Sequence, residues 1–275
     1  MVRFTRTGTI LAYIFLTIYA LIIIVPFTMM VMNSFKSMRE LFLKPFSLPS
    51  TFKFDNFSKA WNFANIGVGY RNSLIVAGIT VIIVVFLASM FAYMVSKYDF
   101  SFRRGVFLYT MLGLALPARL AVIPIFILLR NMNLTNSLTG LVLVYSSMNL
   151  PFSIFILKNF MDAVPNELCE AARIDGASVG YIYYKLILPL TKPALSIVAI
   201  VTFVNVWNDF FFPLILINDR SKATITLAVS MFFGEYSIQW SLLFAGLTLS
   251  IAPTVILFLV FSRFFIAGMT QGAIK

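Results

Sequence analysis

Apolar and polar residues follow one another along this chain in long blocks. Six stretches, roughly 9–32, 72–96, 105–130, 138–158, 191–217 and 241–264, are nearly unbroken runs of Leu, Ile, Val, Phe, Ala and Met. A helix that crosses a bilayer needs about 20 mostly apolar residues, so each block predicts one span. Period-2 alternation is absent, which excludes a transmembrane β-barrel. The expected fold class is all-α, a polytopic membrane protein with six transmembrane helices. It is expected as one transmembrane domain over 1–275. A first span and a long loop occupy 1–70, a five-span core 71–264, and a tail 265–275.

The polar segments between the blocks set the expected orientation. Lys97, Arg103 and Arg104 lie in one short loop, and Lys158, Arg173 and Lys185 in another, whereas 131–137 carries no basic residue. Basic residues in short loops favour the cytoplasmic side, so both termini are expected there. The basic start resembles a signal peptide, but its apolar run continues to Met32. That exceeds the roughly 7–15 residues of a signal core, and a retained span is expected. In the loop 33–71, Phe57, Trp61 and Ala64 recur at helical spacing beside Lys59. They predict a short amphipathic helix on the outer membrane face.

The most informative polar segment is 158–190. Pro165 suits a first helical turn, and Glu167 and Glu170 suit a helix N-terminus. Gly176 suits the position after a helix end. A second helix is expected from about Ser178 to Leu188. Ala171, Ala172 and Ala177 leave a face without bulk that another backbone can approach.

Composition agrees with a membrane chain. Of 275 residues, 60% are hydrophobic and only 11% charged, against about 25% charged in soluble domains. The net charge of +11 does not indicate nucleic-acid binding, because the basic residues sit at span ends. Histidine is absent and Cys169 is the one cysteine. This removes disulfides, the usual general base and the common metal ligands, so no catalytic or metal site is expected. No phosphate-cradling GxxxxGK[ST] loop occurs.

The run Glu170-Ala171-Ala172, Asp175-Gly176-Ala177 and Leu188-Pro189 resembles the EAA loop of bacterial ATP-binding-cassette importer permeases. So do Pro117 and Pro124 in the third block, Asn133-Leu134, Trp207-Asn208-Asp209 with Pro213, and the tail 268–275. Together they resemble the carbohydrate-uptake branch, in particular the smaller maltose-permease-type subunit. The resemblance covers 70–275 well and the first 70 residues loosely. It implies a type I importer permease fold and a sugar or oligosaccharide cargo. It also implies a second permease subunit of a different sequence, two cytoplasmic ATPase subunits that bind ATP and Mg, and an extracytoplasmic sugar-binding protein. The chain itself would bind no cofactor. Loop 165–188 would couple to an ATPase through Glu167, Glu170, Ala171, Ala172, Asp175, Gly176 and Ala177. Gly268, Gln271, Gly272 and Lys275 would form a second ATPase contact.

Ionisable groups at bilayer depth are costly and usually face a cavity or a partner. Arg119 lies mid-way in the third block, and Asp209 lies in the fifth beside Asn205, Trp207 and Asn208. These are the candidate pathway residues, with Trp207 able to stack on a sugar ring. Their structural alternative is to stabilise a helix bend or a subunit interface. A secondary transporter, which needs a coupling-ion site and often shows repeats, and a membrane scaffold for ATPases stand as the other functional readings.

Overall fold

The computed structural model describes residues 6–115, 117–233 and 238–272, with side chains described for 8–115, 117, 119–233 and 238–260. The described residues form helices and one isolated antiparallel bridge, Phe233 to Ile238. Thirteen helices follow in order. They are α1 (Arg6–Ser34), α2 (Met38–Leu43), α3 (Asp55–Phe63), α4 (Ile66–Lys97), α5 (Arg103–Ala115), α6 (Val122–Asn131) and α7 (Leu138–Asp162). Then come α8 (Asn166–Ile174), α9 (Val179–Leu190), α10 (Lys192–Asn208), α11 (Phe211–Leu216), α12 (Ile225–Ser230) and α13 (Trp240–Gly272). Among the described residues four helices are long and apolar enough to cross a membrane, or up to six if each bent pair is one span.

The bent pairs are α5 with Arg119–Asn131, and α9 with α10, which turn by 76° at Thr191. The third block breaks by 83° between α5 and Arg119–Asn131. Pro117 has no N–H to continue the ladder and disfavours helix at the residue before it. Pro124 sits in the first turn of α6, where a missing N–H costs nothing. The fifth block was expected to run unbroken from 191 to 217. Instead α10 ends at Asn208, and Asp209 is extended, with φ −73° and ψ 131°. Pro213 explains the break, since in a continuous helix its ring would clash with the Asp209 carbonyl. That freed carbonyl accepts from the Thr226 hydroxyl at 2.7 Å.

The chain divides into two compact units, 1–67 with 228–252, and 68–227 with 253–275. In the first unit, Phe35 packs edge-on against Phe52 and Phe54. Lys36 is fully buried, at 0% exposure, and donates to the carbonyls of Lys44 (2.9 Å) and Pro45 (3.0 Å). Asn56 donates to the carbonyls of Ser34 and Lys36. Ser50 N–H donates to Glu40 and holds that carboxyl below its ordinary range. Lys36→Met strands two carbonyls, and a buried polar group left unsatisfied costs about 1–3 kcal/mol. Its thermal unfolding midpoint in detergent is expected to fall well below that of Lys44→Met, an exposed control. Equal midpoints would assign Lys36 no structural role.

The expected amphipathic helix exists as α3, but its inward face is Asn56 and Ala60, with Ala64 just beyond. Trp61 is largely exposed. The burial therefore selects small residues over the large aromatic ones, because α3 lies tight on its own unit.

In the second unit, α7 packs against α5, α10 and α11. A Cβ at Gly113 of α5 would come within 2.8 Å of the Pro151 ring on α7, so only glycine allows this approach. Two buried clusters lie along the same helices. One joins Val84, Ala88 and Tyr93 of α4 to Leu157 of α7, Ile182 and Ile187 of α9, and Val198 of α10. The other joins Val76 of α4 to Leu141 and Tyr145 of α7, Val206 of α10 and Phe212 of α11.

Candidate functional site

The island 158–190 folds as two short helices, as its sequence predicts. Pro165 occupies the N-cap of α8, one place before the expected first turn. Gly176 has φ +83°. Gly176 N–H donates to Arg173 O and Ala177 N–H to Ala172 O, at 3.0 and 2.9 Å. This is the complete Schellman closure of a helix end. Ser178 then caps α9 by accepting from Tyr181 N–H. Residues 182–187 of α9 wind as a π-helix.

This pair of helices is tied to the rest of the unit at named points. The hydroxyls of Tyr183 and Ser89 meet at 2.7 Å. Lys97 donates to Val164 O and Asn166 Oδ1, and Ser96 donates to Asp162. Arg173 lies over the Tyr98 ring, 5.1 Å from its centroid. A hydrogen bond with the Tyr98 hydroxyl raises the Arg173 pKa further and keeps the side chain a cation.

The structure sorts the expected coupling residues into two groups. Glu167, Glu170, Ala171, Asp175 and Gly176 are exposed. Ala172 and Ala177 are half-buried and pack against the cluster around Val84 and Leu157. Their small size therefore seats the island on its own helices. Ile174 is 86% exposed, and Leu168 is exposed beside it. Sequence reasoning missed both. The signal was available, since an isoleucine between Arg173 and Asp175 ends α8 off the face that buries Cys169. Cys169 is 2% exposed. It points into the chain because it shares a helix face with half-buried Ala172. Thr191 stands at the start of α10, and its hydroxyl donates back to Ile187 O at 2.8 Å and does not cap that helix.

The second candidate site lies beside the helix breaks at Pro117 and Asp209. Arg119, Tyr145, Met148, Asn149, Val204, Asn205, Asn208, Asp209 and Phe212 line a cleft of about 440 Å³. Asp209 Oδ2 accepts from Tyr145 Oη at 2.8 Å and from Phe212 N–H at 3.0 Å. The carboxylate thus caps α11 and is aimed by a buried tyrosine. Asn205 donates to Asn149 Oδ1 at 3.2 Å. The Arg119 guanidinium rests over the Phe211 ring, 5.4 Å from its centroid. Four of the five expected pathway residues are brought together here. The fifth, Trp207, is 1% exposed, stacked on Phe203 and tilted against Tyr70. It packs the core and offers no ring to a sugar, because its ring is sealed between Phe203 and Tyr70 and does not line the cleft. Tyr145 and Asn149 were not anticipated. Asn149 carried a usable signal as an amide within an apolar block.

For the tail, Gly268, Gln271 and Gly272 continue α13 as helical backbone. Lys275 lies outside the described residues.

Comparison with known proteins agrees with this architecture. The family model described as binding-protein-dependent transport system inner membrane component matches residues 84–271. The diacetylchitobiose uptake system permease protein NgcG of Streptomyces coelicolor is 34% identical over 98% of this chain and 90% of its own length. The arabinooligosaccharides transport system permease protein AraQ of Halalkalibacterium halodurans is 32% identical, covering 98% and 99%. A crystal structure of a bacterial ABC transporter that imports the acidic polysaccharide alginate matches with TM-score 0.85 at 21% identity. That match covers 96% of this chain and 100% of the other, and it shows the shared fold. With the family model spanning the coupling island, the cleft and most of α13, the chain belongs to the binding-protein-dependent transport system inner membrane components, the permease subunits of ATP-binding-cassette importers.

Proposed function

We propose that this chain forms half of the pathway for a sugar or oligosaccharide and takes its driving motion from cytoplasmic ATPases through loop 165–188. The second permease subunit, of different sequence, forms the other half. Two ATPases bind ATP and Mg, and an extracytoplasmic binding protein delivers the cargo. Both termini are cytoplasmic. The cargo class is supported by the relatives named for diacetylchitobiose and arabinooligosaccharides.

The observation that carries the coupling role is the exposed tip of α8. Ile174, Glu170 and Ala171 stand outward on a helix whose other face is locked to α4, α7 and α10. These three helices also carry the cluster beside the cleft. The 25 residues of α7 span about 37 Å as a helix. A push on the tip is thus transmitted by rigid rods to Tyr145, Asn149 and Asn205. Transport is then a two-state tilt of packed helices, with the polar cleft exposed to alternate sides. The amides of Asn149, Asn205 and Asn208, with Arg119 and Asp209, offer donors and acceptors to sugar hydroxyls. The second ATPase contact is assigned to Gly268, Gln271, Gly272 and Lys275.

The test uses the assembled transporter. Ala171→Cys is expected to crosslink to a cysteine in the docking cleft of the ATPase and to be shielded from water-soluble maleimide. Native Cys169 is expected to stay unlabelled with or without the ATPases, because its own chain buries it. Free labelling of Ala171→Cys in the full assembly would remove the coupling role.

A further inference from the structure

The segment just after α1 shows an unusual display of apolar side chains. On α2, Leu41 is buried, while Met38 and Phe42, one turn apart, face outward with Leu43. Beyond α2, Phe46 is 83% exposed and Leu48 68%. Arg39 and Lys44 are interspersed and exposed. Large contiguous apolar surfaces on a folded chain mark an interaction site.

The segment is held in shape. Buried Lys36 donates to the carbonyls of Lys44 and Pro45. Glu40 accepts from Ser50 N–H, and Lys53 N–H donates to Phe35 O. The outward apolar residues therefore belong to an ordered loop.

Chain connectivity names the occupant. The apolar span α1 ends at Ser34, and α2 begins at Met38. Four residues reach at most about 14 Å, so α2 cannot leave the zone where α1 exits the membrane. At that depth, apolar side chains meet the boundary of acyl chains and headgroups, and Lys or Arg extends to the phosphates.

We infer that residues 38–48 form a membrane-surface anchor, with Phe42, Leu43, Phe46 and Leu48 inserted into the leaflet that the end of α1 reaches, and Arg39 and Lys44 at its phosphates. The anchor fixes the depth and tilt of α1 and sets where loop 49–65 stands above the bilayer.

Site-directed spin labelling tests this; Cys169 is buried, and the other subunits are used with their own cysteines replaced. The complete transporter, with its second permease and ATPases, is reconstituted in nanodiscs of phosphatidylethanolamine and phosphatidylglycerol. Labels are placed singly through Phe42→Cys, Phe46→Cys, Leu48→Cys and, as an exposed polar control on α3, Ser58→Cys. The expected result is a ratio of oxygen to nickel-chelate accessibility several times higher at 42, 46 and 48 than at 58. High nickel accessibility at 42 and 46 would overturn the proposal in favour of a water-exposed loop. Immobile labels closed to both reagents would overturn it in favour of a protein partner covering the patch.

Discussion

Gly176→Val is expected to abolish uptake, whereas Gly176→Asn retains most of it. The backbone at Gly176 has φ +83°, and no atom lies within 4 Å of a Cβ built there. Space is therefore no obstacle, and conformation alone decides the outcome. A left-handed backbone costs an ordinary L-residue about 1–2 kcal/mol, and a β-branched side chain is worse placed. Asparagine tolerates it. Each 1.4 kcal/mol is about tenfold in an equilibrium, so valine depopulates the closed helix end by roughly tenfold or more. Without that end, Ile174 and Asp175 lose their fixed presentation while Cys169 and Ile182 still anchor the fold. The measurement is uptake and cargo-stimulated ATP hydrolysis in proteoliposomes, at matched amounts of membrane-inserted protein. Normal coupling in Gly176→Val would remove the requirement for this helix end. Equal failure of valine and asparagine would show that the position touches the ATPase directly. Glu170→Lys leaves the backbone intact and reverses an exposed charge, and it is expected to reduce coupling without altering the fold.

Asp209→Ala is expected to lower both thermal stability and transport, and Asp209→Asn to lower transport alone. Alanine strands the buried Tyr145 hydroxyl and the Phe212 N–H, both of which now end on Asp209 Oδ2. Each unsatisfied group costs about 1–3 kcal/mol. Asparagine keeps an acceptor oxygen at the start of α11 but leaves Arg119 as the one formal charge among the residues lining the cleft. A thermal midpoint for Asp209→Asn near the native value, together with altered uptake, places the carboxylate charge in the pathway. Native uptake with native stability would confine Asp209 to holding the helix break. Tyr145→Phe separates these roles further, since it removes the donor that aims the carboxylate and leaves the charge in place.

Much of this arrangement was legible in the chain. The six apolar blocks follow from bilayer thickness, which fixes their length regardless of neighbours. The two helices of the island follow from Pro165, Gly176 and Ser178, whose preferences are local. Arg119 and Asp209 stood out because charge at bilayer depth needs a reason. The break at Pro117 was written in the proline itself. The break at Asp209 was written four residues away, in Pro213, and completed by Thr226, which is distant in sequence.

Other features had no local signature. Trp207 and Asn208 are neighbours, yet one is sealed between Tyr70 and Phe203 and the other lines the cleft. Ala171 and Ala172 carry the same side chain, yet one is presented outward and the other packs on the chain's own core. In α3 the sequence pointed to Phe57, Trp61 and Ala64 as a stripe facing the membrane, and the fold buries Asn56 and Ala60 against its own unit. A nearly uniform apolar span has little amphipathic contrast, so its sequence does not say which face meets protein and which meets lipid. The lengths, the breaks at prolines and the caps of the island were determined by the sequence alone, because they depend on backbone chemistry within a few residues. Which side chains enter the cleft, which seat the island and which are left for a partner or a bilayer were decided by tertiary structure. These outcomes depend on what stands opposite each helix face, and no local pattern specifies that.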